Sequence, residues 1–143
     1  MKHFGNIFLL VSGILLSFIA CTTHPAIPTD YVQTDSLPAV YPDYTEVTIP
    51  PNIAPLNFAV RGADNVVARF TAGQMVTTYG KGHKVVIPQQ EWEALKRAAV
   101  DHQMTVEVFT CTNGKWTASR PFHIYLAAED IDPYISYRLI NPS

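Results

Sequence analysis

Past residue 44 the chain alternates between apolar and polar positions in short bursts. Leu56, Phe58 and Val60 take turns with Asn57, Ala59 and Arg61, and Val66, Ala68 and Phe70 with Val67, Arg69 and Thr71. A period of two with one apolar face predicts half-buried strands. Gly62-Ala63-Asp64-Asn65 between them reads as a turn, so the pair is expected to form a hairpin. Gly73 breaks the run. A second hairpin is expected from Met75–Tyr79 and His83–Ile87 around Gly80-Lys81-Gly82. Glu46-Val47-Thr48-Ile49 predicts a further strand, stopped by Pro50-Pro51. Met104, Val106 and Val108 mark another, and Phe122, Ile124 and Leu126 the last. Thr112-Asn113-Gly114 is a strong turn signal, because Asn-Gly accepts positive φ at both central positions.

One segment changes period. Trp92, Leu95 and Ala99 fall at i, i+3 and i+7, which predicts a helix starting at Pro88 and stopping near His102, with Glu93 placed to pair with Arg97. Six or seven short strands, regularly spaced turns and one inserted α-helix make the expected fold mainly β, an Ig-like or fibronectin-like β-sandwich.

The first 44 residues read differently. Lys2 and His3 precede an apolar run, Ile7 to Ala20, that is short and interrupted for a membrane span but suits the core of a secretory signal. Phe18-Ile19-Ala20-Cys21 resembles the lipobox of bacterial lipoproteins, with Phe18 standing where Leu is usual. The resemblance implies cleavage before Cys21, with acyl chains on Cys21 anchoring the protein; several chains on one residue hold firmly where one is marginal. Thr22, in place of an aspartate, implies the outer membrane. The lack of an acidic cluster after Cys21 implies its periplasmic face. Pro25, Pro28, Pro38 and Pro42 among Thr, Ser and Asp suggest a semi-stiff spacer. Three regions are therefore expected: signal peptide 1–20, lipidated Cys21 and tether 21–44, and sandwich 45–143.

Charge and motifs narrow the chemistry. The chain has 10 Lys+Arg against 12 Asp+Glu, a net charge of −2, and cleavage removes Lys2. That balance argues against nucleic acid as a partner. With Cys21 acylated, Cys111 has no mate and reads as a small buried hydrophobe, since no basic neighbour lowers its pKa. His3, His24, His83, His102 and His123 lie at no metal-ligand spacing, and no G-x-S-x-G, Walker loop or C-x-x-C-H is present. Gly80-Lys81-Gly82 reads as a hairpin tip, and Glu129, Asp130 and Asp132 beside Pro133 as an exposed turn, in each case in preference to a phosphate loop or an acid–base pair. No catalytic residue, metal or cofactor is expected. The aromatic residues are the better lead. Tyr41, Tyr44, Trp116, Tyr134 and Tyr137 are the candidate interface, because such rings join an apolar face to a polar handle.

Two stretches carry a wider resemblance. Residues 41–58 (Tyr-Pro-Asp-Tyr-Thr-Glu-Val-Thr-Ile-Pro-Pro-Asn-Ile-Ala-Pro-Leu-Asn-Phe) and 130–140 are similar to the N-terminal domain of TolB-like lipoproteins of Gram-negative anaerobes, which carry WD40-like propeller repeats and are sometimes labelled cytochrome c biogenesis proteins. The resemblance implies a sandwich-like module that precedes a β-propeller, and often a haem motif. This sequence ends at Ser143, before a propeller blade or haem cysteine, so no haem residue carries over. It implies an isolated N-terminal module, either truncated or encoded as a separate short gene: a lipid-anchored, non-catalytic binding or scaffold domain facing an envelope protein or a missing propeller. The alternatives are a carbohydrate-binding module using Trp116, or the remnant of a haem-containing electron-transfer protein.

Overall fold

The structure is a computed structural model that describes residues 24–132 and Tyr134. Cys21 and Tyr137 lie outside the described residues. The described elements are β1 (Val32–Gln33), β2 (Val40–Tyr41), β3 (Val47–Ile49), β4 (Phe58–Val60), β5 (Asn65–Ala72), β6 (Met75–Tyr79), β7 (Lys84–Val85), α1 (Gln89–Ala98), β8 (Gln103–Thr112), β9 (Lys115–Ala118) and β10 (Phe122–Leu126). They form a mainly β sandwich of a seven-stranded and a three-stranded sheet with the single α-helix.

β8 is the spine of the large sheet. Along one side runs β5, antiparallel from Asn65↔Cys111 to Thr71↔Thr105, with β6 beyond it as the edge. The other side of β8 is shared. β9 pairs with Phe109 to Thr112, and β10 with Gln103 to Val106. The chain steps between them at Ser119–Pro121, where Pro121 has no amide hydrogen to give a ladder. Outermost, β1 lies parallel to β9 and β3 parallel to β10. The small sheet runs β2–β4–β7, antiparallel throughout.

The core fills the space between the sheets and under the helix. Val66, Ala68, Phe70 and Ala72 of β5 meet Met104, Val106 and Val108 of β8, Phe122 and Ile124 of β10, Phe58 and Val60 of β4, and Trp92 and Leu95 of α1. Trp92 is fully buried, and its Nε1 donates to the Ile53 carbonyl at 3.0 Å. Lys96 also reaches the Pro51 and Ile53 carbonyls, and it pairs with Glu93 at 2.9 Å. The helix is thereby riveted to the loop after β3.

The opposite face of the large sheet carries a second, smaller cluster of Val67, Phe109 and Ala118, with Trp116 against it. The segment read from sequence as a free tether covers it. His24 binds the Thr78 carbonyl on β6, Ile27 packs on the cluster, and Tyr31 meets Phe109 edge-on at 5.2 Å. The segment then joins the far edge of the sheet as β1, with Thr34 N–H on the Ala118 carbonyl at 2.8 Å. Residues 24–33 are therefore a strap laid across the sheet from the β6 edge to the β9 edge. Residues 40–41 supply β2. The folded body starts by residue 24, not 45. The strap has too little apolar surface to fold alone, but the sheet beneath supplies the surface that Ile27 and Tyr31 cover. Truncating Ile27→Ala should cost about 1 kcal/mol, because the side chain is only half-buried. Limited proteolysis should cut between residues 24 and 34 faster in that variant than in the parent.

Several local expectations need correcting. β4 and β5 do not form a hairpin: β4 belongs to the small sheet and β5 to the large one. Alternation marks which face of each is apolar, and both faces are buried across the core from each other rather than side by side. The second expected hairpin also fails. β6 pairs with β5 through Gly73, whose φ of 57° makes the turn, and β7 pairs with β4. The helix ends at Ala98 and is followed by a short 3-10 turn, Val100–His102; Glu93 pairs with Lys96 rather than Arg97. Among the described residues the strands number ten where six or seven were expected, because β1, β2 and β7 have two residues each and show no period. The Asn113-Gly114 turn forms as expected, with φ of 51° and 75°.

Candidate functional site

Two concave regions of the described surface gather polar side chains. The first is an open groove of about 390 Å³ lined by Ala39, Val40, Tyr41, Pro42, Asp43 and Arg61. β2 places Val40 opposite Val60, facing the core, so the next residue, Tyr41, points outward by strand alternation. Its ring is 59% exposed, and the Arg61 guanidinium stands 4.5 Å above the ring centre. Asp43 closes the end of the groove. Its carboxylate accepts from both the hydroxyl and the backbone N–H of Thr45, at 2.7 and 3.0 Å, and these bonds hold it below the usual carboxylate range. The groove thus offers a flat ring, a fixed cation and a fixed anion.

The second is a cleft of about 240 Å³ where the strap crosses the β6 edge, lined by His24, Tyr79, Lys81, Val86, Pro88 and Glu91 among others. The Tyr79 hydroxyl donates to Glu91 at 2.7 Å. Burial, reinforced by the Glu91 carboxylate, pushes the phenol well above its ordinary value, so Tyr79 stays a donor. His24 Nδ1 is 3.0 Å from the Thr78 carbonyl and 3.3 Å from Thr77 Oγ1. A carbonyl can only accept, so Nδ1 carries the hydrogen. The free nitrogen, Nε2, then faces Glu91 at 3.7 Å rather than the threonine hydroxyl. A Ser-His-Asp type of relay needs the opposite arrangement, with the basic nitrogen on the hydroxyl. The trio binds and fixes the strap.

The expected interface residues are not gathered together. Tyr41 is on the outer face of the small sheet. Tyr44 is half-buried and packs on the main core. Trp116 is half-buried on the outer face of the large sheet, the other side of the sandwich, against the Val67 and Phe109 cluster. Tyr134 is 86% exposed. Cys111 is buried, as read from the sequence. Sequence reasoning did not single out Arg61, His24 or Glu91 as site residues. Arg61 meets Tyr41 only because β4 folds back onto β2, and His24 meets Glu91 only because the strap returns to the β6 edge; neither pair has a local signal. Among the described residues no three His, Cys, Asp or Glu side chains converge as a metal site, and no helix is long and apolar enough to cross a membrane.

His123, on β10, is half-buried rather than free in solvent. Its N–H donates to Glu46 at 2.9 Å, Tyr125 adds its hydroxyl at 3.1 Å, and the ring lies 3.4 Å from the same carboxylate. The His123 N–H bond, partly opposed by desolvation, holds Glu46 below its usual 4.5. A depressed carboxylate stabilises the fold at pH above the unfolded value, and that contribution is lost as pH falls through the lower folded one. Glu46→Gln should lower the urea midpoint at pH 7 by the equivalent of less than about 1 kcal/mol, since the group is half exposed. The difference from the parent should vanish in acid, below the folded value of Glu46.

Compared with protein-family models, with curated proteins and with solved structures, the chain matches none.

Proposed function

We propose that this chain is a lipid-anchored, non-catalytic envelope module that binds or scaffolds a partner protein from the periplasmic face of the outer membrane. The observation that carries the reading is the lipobox-like Phe18-Ile19-Ala20-Cys21 at the end of an apolar run, directly ahead of a folded body. Acyl chains on Cys21 supply location. The rigid sandwich supplies a contact surface, and the Tyr41–Arg61 groove is its best-formed part, because an exposed ring with a stacked guanidinium is the kind of anchor that interfaces favour. By the resemblance noted above, the partner is an envelope protein or a propeller domain. In Gram-negative cells fed radiolabelled or alkyne-tagged palmitate, the parent should take up label and sediment with membranes. Cys21→Ala should do neither. A photo-crosslinking residue at Tyr41 should give a discrete protein adduct that the same residue at Thr48 does not. An unlabelled parent, freely soluble after cell lysis, refutes the anchoring.

A second reading, a carbohydrate-binding module, is favoured by the same groove: a sugar ring stacks on an exposed aromatic while fixed charges take its hydroxyls. Trp116, half-buried on the other face, is the poorer candidate for this. If Tyr41→Ala abolishes retention on an envelope glycan while Trp116→Ala leaves it intact, that reading replaces the protein partner.

A further inference from the structure

We infer that the β6 edge of the sandwich is the membrane-facing surface, lying flat against phospholipid headgroups. The inference rests on acylation of Cys21, and goes beyond it by assigning an orientation. Its ground is the strap. His24 is held by the Thr78 carbonyl at 3.0 Å, its ring meets Tyr79 at 5.8 Å, and Thr78 Oγ1 donates to the Pro25 carbonyl at 2.6 Å. Only three chain steps separate His24 from Cys21. At full extension three steps span about 11 Å. The width of the large sheet from β6 to β3 is four strand spacings, about 19 Å. The leash is therefore too short for the body to turn freely beneath its anchor. Had residues 21–44 been a free tether, any face could have met the membrane. With the strap docked, the face around His24 must.

The residues at that face suit a headgroup layer. Lys81 lines the same cleft as His24, and Lys84 is bridged to it across the β6–β7 loop with His83 between them; all three are exposed. Glu91, the acid of the cleft, already accepts the Tyr79 hydroxyl. Val86, 49% exposed at the cleft, and Val76, 58% exposed on β6, add an apolar fringe. Cations that meet lipid phosphates, with small apolar side chains between them, make a surface contact rather than a deep insertion. Each lysine is worth about a fivefold gain in partitioning to an anionic surface.

The test uses the full acylated protein, purified from membranes and reconstituted into vesicles of phosphatidylethanolamine and phosphatidylglycerol carrying a headgroup nitroxide. An environment-sensitive fluorophore is attached at Val86→Cys or, on the far edge, at Thr48→Cys; Cys111 is buried and Cys21 is blocked by its lipid. Quenching at position 86 should be several-fold stronger than at position 48. Adding Lys81→Glu and Lys84→Glu to the Val86→Cys protein should shrink that contrast, with circular dichroism confirming an unchanged fold. Equal quenching at both positions, in protein whose mass shows acyl chains on Cys21, overturns the orientation and leaves the anchoring intact. Absence of the acyl mass overturns both.

Discussion

Trp92→Ala is expected to lower stability by about 3–5 kcal/mol, enough to unfold much of a domain of this size. The side chain is fully buried at the centre of the main core, between α1 and the sheets. Its loss removes the largest apolar surface there and leaves a cavity that close-packed neighbours only partly fill. It also strips one donor from the Ile53 carbonyl, although Lys96 Nζ, at 3.3 Å, remains. Trp92→Phe separates the two effects: it keeps most of the apolar contact and loses only the indole N–H, so it should cost far less than the alanine change. Urea unfolding followed by circular dichroism reads both. An alanine variant within about 1 kcal/mol of the parent would mean that the helix does not close the core as described.

Gly80→Ala is the second large effect, of about 3 kcal/mol or more. A Cβ built on Gly80 lies 2.1 Å from the Val66 carbonyl oxygen and 3.2 Å from its carbon. These are backbone atoms of the central sheet and cannot swing aside as a side chain would. The close approach exists because the β6–β7 loop is clamped onto β5, with Val66 N–H on the Gly82 carbonyl at 2.7 Å. Gly82→Ala, two positions on, is the control. Its φ of 57° carries some left-handed strain, but open space surrounds the added methyl, so the cost should stay near 1 kcal/mol. Thermal unfolding of the pair measures the difference. The same loop carries Lys81 beside the His24 cleft, so Gly80→Ala should also disturb the proposed membrane face, where Gly82→Ala should disturb it less.

Much of the local structure was legible in the sequence. The apolar set of β8 and β10 faces the core as its period requires, Trp92 and Leu95 form the buried side of the helix, and Asn113-Gly114 turns as its conformational freedom allows. Partnership was not legible. Phe58 and Val60 show the same alternation whether β4 lies beside β5 or across the core from it. Gly73 looked like a break and is the turn that joins β5 to β6. The candidate site followed the same division. Tyr41 was visible as an aromatic worth noting, whereas Arg61 above it, and His24 against Glu91, required the chain to close over many residues.

The amino-acid sequence alone determined the faces: which side chains are apolar at period two or 3.6, where φ can turn positive, and where an apolar run ends in a cysteine. The tertiary structure decided the neighbours, because a strand's hydrogen-bonding edges are the same for every sequence and only the packing of two sheets selects who lies beside whom. It also made a strap of residues 24–33. A ten-residue segment with two prolines has too little apolar surface to order itself, and here it is ordered by a sheet face that leaves Val67 and Phe109 to be covered.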